Sequence, residues 1–145
     1  MVIKNLDKLY FVAKCILIND DNKFLILKRT DYKNDGTDEL WDLPGGNVDK
    51  YEDVNVAIKR EVKEEILVRL NETEVFSVDS RKHPKQEAQF IFVMFSSKDF
   101  DMSSGIVLSE EHSEYKWIGV DEMDKFNFYL TSERIGTIRN YLKEL

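Results

Sequence analysis

Between Asp53 and Ile66 apolar residues recur at Val54, Ala57, Ile58, Val62 and Ile66. Steps of three and four predict one amphipathic helix with a single stripe to bury, and Asp53 before it is a sound N-cap. Such a stripe needs an apolar face to pack on, and the flanking segments offer one. Tyr10 to Ile18 and Phe24 to Leu27, joined by the turn signal Asn19-Asp20-Asp21-Asn22, read as a hairpin. Val75 to Val78 and Gln89 to Phe95 read as strands around a polar segment, Asp79 to Ala88, and Glu114 to Val120 reads as another strand. Asp121 is placed to cap a short helix through Lys125. Thr131 or Ser132 starts a last helix to Leu142, with Ile135, Ile138, Tyr141, Leu142 and Leu145 on its inner face. Without a repeat or a linker, strands and helices share one core, which predicts a mixed α/β sandwich in a single domain over 1–145.

Charge narrows the function. The 145 residues carry 21 Lys plus Arg against 28 Asp plus Glu, a net −7, with no cationic tract, which argues against a nucleic-acid polymer as partner. Apolar stretches such as Phe90 to Phe95 are far too short to span a membrane, and Met1 to Tyr10 mixes Lys4, Asp7 and Lys8 into its apolar residues unlike a signal peptide. Cys15 is alone, so no internal disulfide forms and a reducing cytoplasm is the expected home.

On the predicted helix, Glu61, Glu64 and Glu65 fall within about 100° of one face, at the edge of the apolar stripe. Three like charges so placed repel, and the repulsion grows with desolvation. Either Arg60, four residues before Glu64, compensates them, or a hard divalent cation such as Mg²⁺ or Mn²⁺ does. A solvated acidic face is the plainer alternative. Upstream, Leu43-Pro44-Gly45-Gly46 permits a tight backbone turn.

The spacing joins these parts. Five residues separate Gly46 from Glu52 and seven more lead to Arg60-Glu61, followed by Val62, Glu64-Glu65 and Val68. This resembles the Nudix box, G-x5-E-x7-R-E-U-x-E-E-x-G-U with U aliphatic, over 46–68. Only Leu67 departs, standing where the family has a glycine that ends the helix in the left-handed region. A leucine held there is disfavoured by roughly 1–2 kcal/mol.

The resemblance implies an α/β/α sandwich and a Mg²⁺-dependent hydrolase, with Mn²⁺ as a possible substitute, that cleaves the pyrophosphate bond of a nucleoside diphosphate linked to another group. It implies metal ligation by Glu61, Glu64 and Glu65 with a backbone carbonyl of Gly45 or Gly46, orientation of a glutamate by Arg60, and support from Glu52. Ser109 to Trp117 is similar to an E-H-x-x-Y-[KR]-W segment of nucleotide-cleaving members, which puts Glu111 forward as base or extra ligand. His112 is then a second candidate proton acceptor, or simply a hydrogen-bonded loop residue. Arg29 matches a place where members contact phosphate or base, unless it is a solvent-facing strand end; Lys28 points the other way. Tyr32, Trp41 and Phe90 could stack on a base or belong to the core, and Pro84 falls one residue from a proline of ADP-ribose-cleaving members. An ADP-ribose-type pyrophosphatase and a nucleotide-sensing module without catalysis are the competing readings, and a homodimer is common in the family.

Overall fold

The structure is a computed structural model that describes residues 8–30, 40–83, 85 and 87–145. Tyr32 and Pro84 lie outside the described residues. Strands β1 (Leu9–Leu17), β2 (Phe24–Arg29), β3 (Trp41–Asp42) and β4 (Gly45–Asn47) precede helix α1 (Val54–Ile66). Strands β5 (Arg69–His83), β6 (Ala88–Asp101) and β7 (His112–Ile118), a 3-10 turn over Val120–Lys125 and helix α2 (Ser132–Lys143) complete the chain.

A four-stranded mixed sheet has the order β4-β1-β6-β5, with β1 parallel to β6, and a three-stranded antiparallel sheet has the order β3-β2-β7. Alternate residues of the same strands feed two cores. Ala13, Cys15, Leu17, Leu25, Leu27, Val93 and Phe95 pack on Ile58, Val62 and Ile66 of α1. Ile16, Ile18, Phe24, Ile26 and Met94 pack with Trp41, Leu43 and Met123 on Ile138 and Leu142 of α2. Strands buried on both faces read as continuous apolar runs, which is why Cys15 to Ile18 shows little alternation. The result is the expected mixed α/β sandwich with a helix on each side.

Several boundaries differ from the sequence reading. The polar stretch Asp79 to His83 continues β5, because its backbone pairs with Phe92 to Ala88 of β6 while its side chains stay on a partly solvated face. β7 begins at His112, two residues early. In the 3-10 turn the cap is Gly119, whose N–H donates to Glu122 Oε1 at 3.0 Å, rather than Asp121. At the C-terminus Leu145 is half exposed instead of facing inward, and the Tyr141 hydroxyl bonds Ser96 and Glu74.

α1 starts as expected, with Asp53 accepting from the Asn55 N–H at 2.8 Å. It ends with Leu67 in the left-handed region at φ 58° and ψ 33°, its N–H still bonded to Lys63 O. The chain therefore has, at Leu67, the left-handed helix exit that the box pattern assigns to a glycine. Because Leu67 is half exposed, little packing is lost on truncation, and Leu67→Gly is expected to raise stability by about 1 kcal/mol, read as a higher urea midpoint.

Candidate active site

Two separate segments converge beside α1. The first is the Gly45-Gly46 turn. Gly45, at φ 141°, lets β4 lie so close to β1 that a Cβ there would sit 2.0 Å from Ala13 O. Its N–H thereby reaches Glu65 Oε1 at 2.6 Å. At Gly46 a Cβ would fall 2.5 Å from Glu61 Oε2. The second segment, the loop before β7, is tied to the end of α1 by Val107 N–H to Ile66 O at 3.0 Å and Ser109 N–H to Glu65 O at 2.9 Å. A third bond, from Thr30 N–H to Glu111 O at 3.0 Å, fixes the end of that loop against β2. These bonds deliver Glu111 and His112 to Glu65.

One ligand-type atom from each of Glu65, Glu111 and His112 lies within 4.8 Å of the other two. Glu65 is buried and Glu61 is partly so, whereas Glu111 is exposed. His112 Nδ1 is, among the described residues, the one buried side-chain polar atom with no hydrogen-bond partner; Glu65 Oε2 stands 3.5 Å away, too far for one. A buried unsatisfied nitrogen facing carboxylates calls for a further partner, and this mixed oxygen and imidazole donor set fits a divalent cation.

Burial sets the electrostatics. It pushes the Glu65 carboxyl up to about 8, against the opposing pull of Lys14 and the Gly45 N–H, and neighbouring Glu61 and Glu111 add to the rise. Burial also raises Glu61, with Arg60 opposing. His112 is held below its usual value, again chiefly by burial and next by the charge of Lys14. Arg60 neutralises the outer carboxylates: Nε donates to Glu52 Oε2 at 2.7 Å, and Nη1 donates to Glu61 Oε1 at 3.0 Å and to Glu64 Oε2 at 3.2 Å. Those bonds hold Glu52 down at about 2. Of the two compensating cations considered from the sequence, Arg60 is seen in place on the outer carboxylates. Arg60 takes Glu52, Glu61 and Glu64, and the donors of the Glu65 cluster are the ones that could hold a metal ion.

The cluster lies in a cleft of about 1140 Å³. Gly45, Gly46, Glu61, Glu65, Glu111 and Arg29 are among the residues that line it. Glu64 is largely exposed beside Arg60, and Glu64, Glu52 and Arg60 are not among the lining residues. Of the stacking candidates, Phe90 lines the cleft and Trp41 is core, edge-on to Phe126. The sequence reading missed Lys14 and Asp42. Asp42 is buried and accepts from Lys14 Nζ at 3.0 Å and Arg29 Nη1 at 3.1 Å. An isolated lysine on an apolar strand was the available signal.

A family model described as the NUDIX domain matches residues 9–138. The chain belongs to the NUDIX domain family. Among curated relatives it is 25% identical over 137 residues to the nucleoside triphosphatase NudI of Escherichia coli O139:H28, covering 88% of this chain and 95% of that protein. Among solved structures it is similar to the E. coli ORF135 protein, with a TM-score of 0.76, 20% identity and coverage of 94% of this chain and 90% of that one. It is similar too to the MutT NUDIX hydrolase of Burkholderia pseudomallei, with a TM-score of 0.71, 22% identity and coverage of 90% and 97%. The protein is thus a Nudix pyrophosphohydrolase with the Nudix fold. No helix among its described residues is long and apolar enough to cross a membrane.

The Glu65 cluster makes metal-free stability depend on pH. A carboxyl raised from 4.5 to about 8 on folding binds more protons folded than unfolded between those values, so stability falls as pH rises through that window. The depressed His112 works in the opposite sense, but only below its ordinary 6.5. In EDTA the melting temperature is therefore expected to drop between pH 6.5 and about pH 8.5, and millimolar Mg²⁺ to raise it most at the alkaline end. Glu65→Gln should flatten the EDTA profile. A wild-type profile that is flat in EDTA would contradict a buried, unpaired carboxyl here.

Proposed function

We propose that this Nudix enzyme hydrolyses the pyrophosphate bond of a nucleoside triphosphate or related nucleotide derivative in a Mg²⁺-dependent reaction. The observation that carries this reading is the convergence of Glu61 and Glu65 from α1 with Glu111 and His112 from the loop, beside the glycine turn of one cleft. Glu65 would hold the cation, with Glu61, Glu64 and the Gly46 carbonyl completing the set expected from the box, and Mn²⁺ could substitute. Bound there, a divalent cation supplies the positive charge that a polyanionic substrate requires against these carboxylates and acidifies nearby water.

The protein groups divide the remaining work. Glu111 reaches the cluster from a different segment than α1, so it can accept the proton of the attacking water while Glu65 and Glu61 stay engaged. Water adds to phosphorus, the bridging P–O bond breaks, and the leaving phosphate or pyrophosphate carries off the bond's electrons. Arg60 holds Glu61 in place, and Glu52 in turn fixes the guanidinium. Arg29 sits in the cleft wall as a contact for a substrate phosphate. NudI, described as a nucleoside triphosphatase, favours a triphosphate over ADP-ribose as first substrate to test. A sensing module without catalysis is not favoured, since every box carboxylate is present. A single domain, a homodimer and a cytoplasmic setting belong to the same proposal on family likeness alone.

The test is release of phosphate, pyrophosphate or monophosphate over a panel of nucleotide derivatives, with Mg²⁺ and with EDTA. Glu111→Gln is expected to lower kcat by a factor on the order of a hundred with little change in KM or melting temperature, whereas Glu110→Gln does little. Near-wild-type turnover by Glu111→Gln would move the base to Glu61 or His112.

A further inference from the structure

The far wall of the cleft holds Arg134, which is paired with Asp79 outside the lining, and the hydrolytic chemistry uses neither. In the register of the mixed sheet Asp79 pairs with Phe92 and Arg81 with Phe90, while Phe92 lies beside Val12 and Phe90 beside Tyr10. Side chains two apart on a strand share a face. Lys14 of β1, next to the carboxylate cluster, is thus about 7 Å along the strand from the level of Phe92 and about 13 Å from that of Phe90. Arg134 from α2 closes over this floor. Its Cζ stands 3.4 Å from the centre of the Phe92 ring, and Asp79 grips one edge of the guanidinium, accepting from Nε at 3.0 Å and from Nη2 at 2.5 Å.

That arrangement differs in kind from the cations near the carboxylates. Arg134 is 5% exposed yet lines the cleft. A guanidinium has five N–H donors, and Asp79 engages Nε and Nη2 only; Nη1 makes no hydrogen bond to a described residue. With its charge matched by Asp79 the pair offers little net attraction to phosphate. It offers instead a rigid, planar donor fork above an aromatic floor. Such a fork suits neutral acceptors in the plane of a flat ring: the carbonyl oxygen and the imidazole nitrogen N7 on one edge of a 6-oxopurine accept two parallel bonds, whereas the exocyclic amine of adenine presents a donor to a donor.

We propose that Arg134, held by Asp79 and Phe92, is a specificity-determining residue that reads the base of the substrate and selects a base with a ring carbonyl, as in a 6-oxopurine, over adenine. This deepens the pyrophosphohydrolase reading and rests on it for its kinetic test.

Inosine and adenosine triphosphates probe the contact, because on the edge that carries N7 they differ only in a carbonyl against an amine. With Mg²⁺, the wild-type kcat/KM is expected to favour the inosine form by about tenfold or more. Arg134→Met should bring the two within about threefold of each other, by loss on the inosine substrate. A wild type that treats both alike or prefers ATP overturns the proposal, as does an Arg134→Met enzyme with the wild-type ratio. Should Arg134→Met fail to fold, Asp79→Asn decides: loosening the fork is expected to lower the ratio, and an unchanged ratio is the contrary result. If the wild type cleaves neither nucleotide, the hydrolase reading is what has failed, and calorimetry with inosine and adenosine monophosphates tests base selection separately. Tighter binding of the inosine form that disappears in the variant supports it, and equal binding in the wild type refutes it.

Discussion

Glu65→Gln is expected to lower kcat by a factor on the order of a hundred or more while the protein still folds. Glutamine matches the size of Glu65 and its amide oxygen can still accept the Gly45 N–H, so the turn and helix remain joined. What disappears is the negative charge at the only buried carboxylate of the cluster formed with Glu111 and His112. Because the amide removes a buried acid with no cationic hydrogen-bond partner among the described residues, the metal-free protein should melt higher than wild type above neutral pH. Lower activity with higher metal-free stability is a pairing that a misfolded variant cannot produce. Glu64→Gln is the sharper comparison. Glu64 is exposed and held by Arg60 at 3.2 Å, so the structure ranks its loss below that of Glu65, whereas the box pattern treats the two alike. Equal losses in steady-state kinetics would mean that Glu64 turns inward when metal binds.

Gly45→Ala is expected to be the most damaging methyl addition among the described glycines. The new carbon would lie 2.0 Å from Ala13 O and 2.8 Å from Lys14 Cα, both backbone atoms, at a φ of 141° that residues with side chains rarely adopt. Neither obstacle can rotate aside, so β4 must leave β1, and the Glu65 bond to Gly45 N–H is lost with it. Destabilisation of about 3 kcal/mol or more follows, measurable as a fall in the denaturant midpoint, and residual folded protein should be nearly inactive. Gly46→Ala contrasts with it. There the added carbon meets the Glu61 carboxylate, the far end of a flexible side chain, so turnover suffers more than stability. A Gly45→Ala protein within 1 kcal/mol of wild type would show that β4 does not pair with β1 as described.

Much of this was legible in the linear order of residues, for local reasons. The α1 stripe, its Asp53 cap and the spacing from Gly46 to Glu65 are short-range features, in which helical geometry converts sequence separation directly into position on a face. The crowding of carboxylates on one helix face was legible too, although whether that face is solvated or partly buried was not. The left-handed exit at Leu67 shows the limit: residue type argued against the conformation that the folded chain adopts.

What only the tertiary structure decided depends on distant pairings. Composition could not show that Asp79 to His83 is strand, since its partner is β6 and its polar side chains are tolerated on a partly open face. Nor could it separate Glu64 from Glu65, whose difference is burial against Gly45 and His112 rather than helical phase. His112 was one loop histidine among ordinary possibilities until two backbone bonds from the preceding loop to α1 brought it beside Glu65. Arg134, 55 residues from Asp79 in the chain, carried no signal, because a buried arginine is recognisable only once its carboxylate and the ring beneath it have been brought together. The sequence by itself determined the helix, the glycine turn and the set of acids, through contacts within a few residues. Folding decided which acid is desolvated and what faces it across the cleft, because desolvation depends on every chain segment that excludes water from the site.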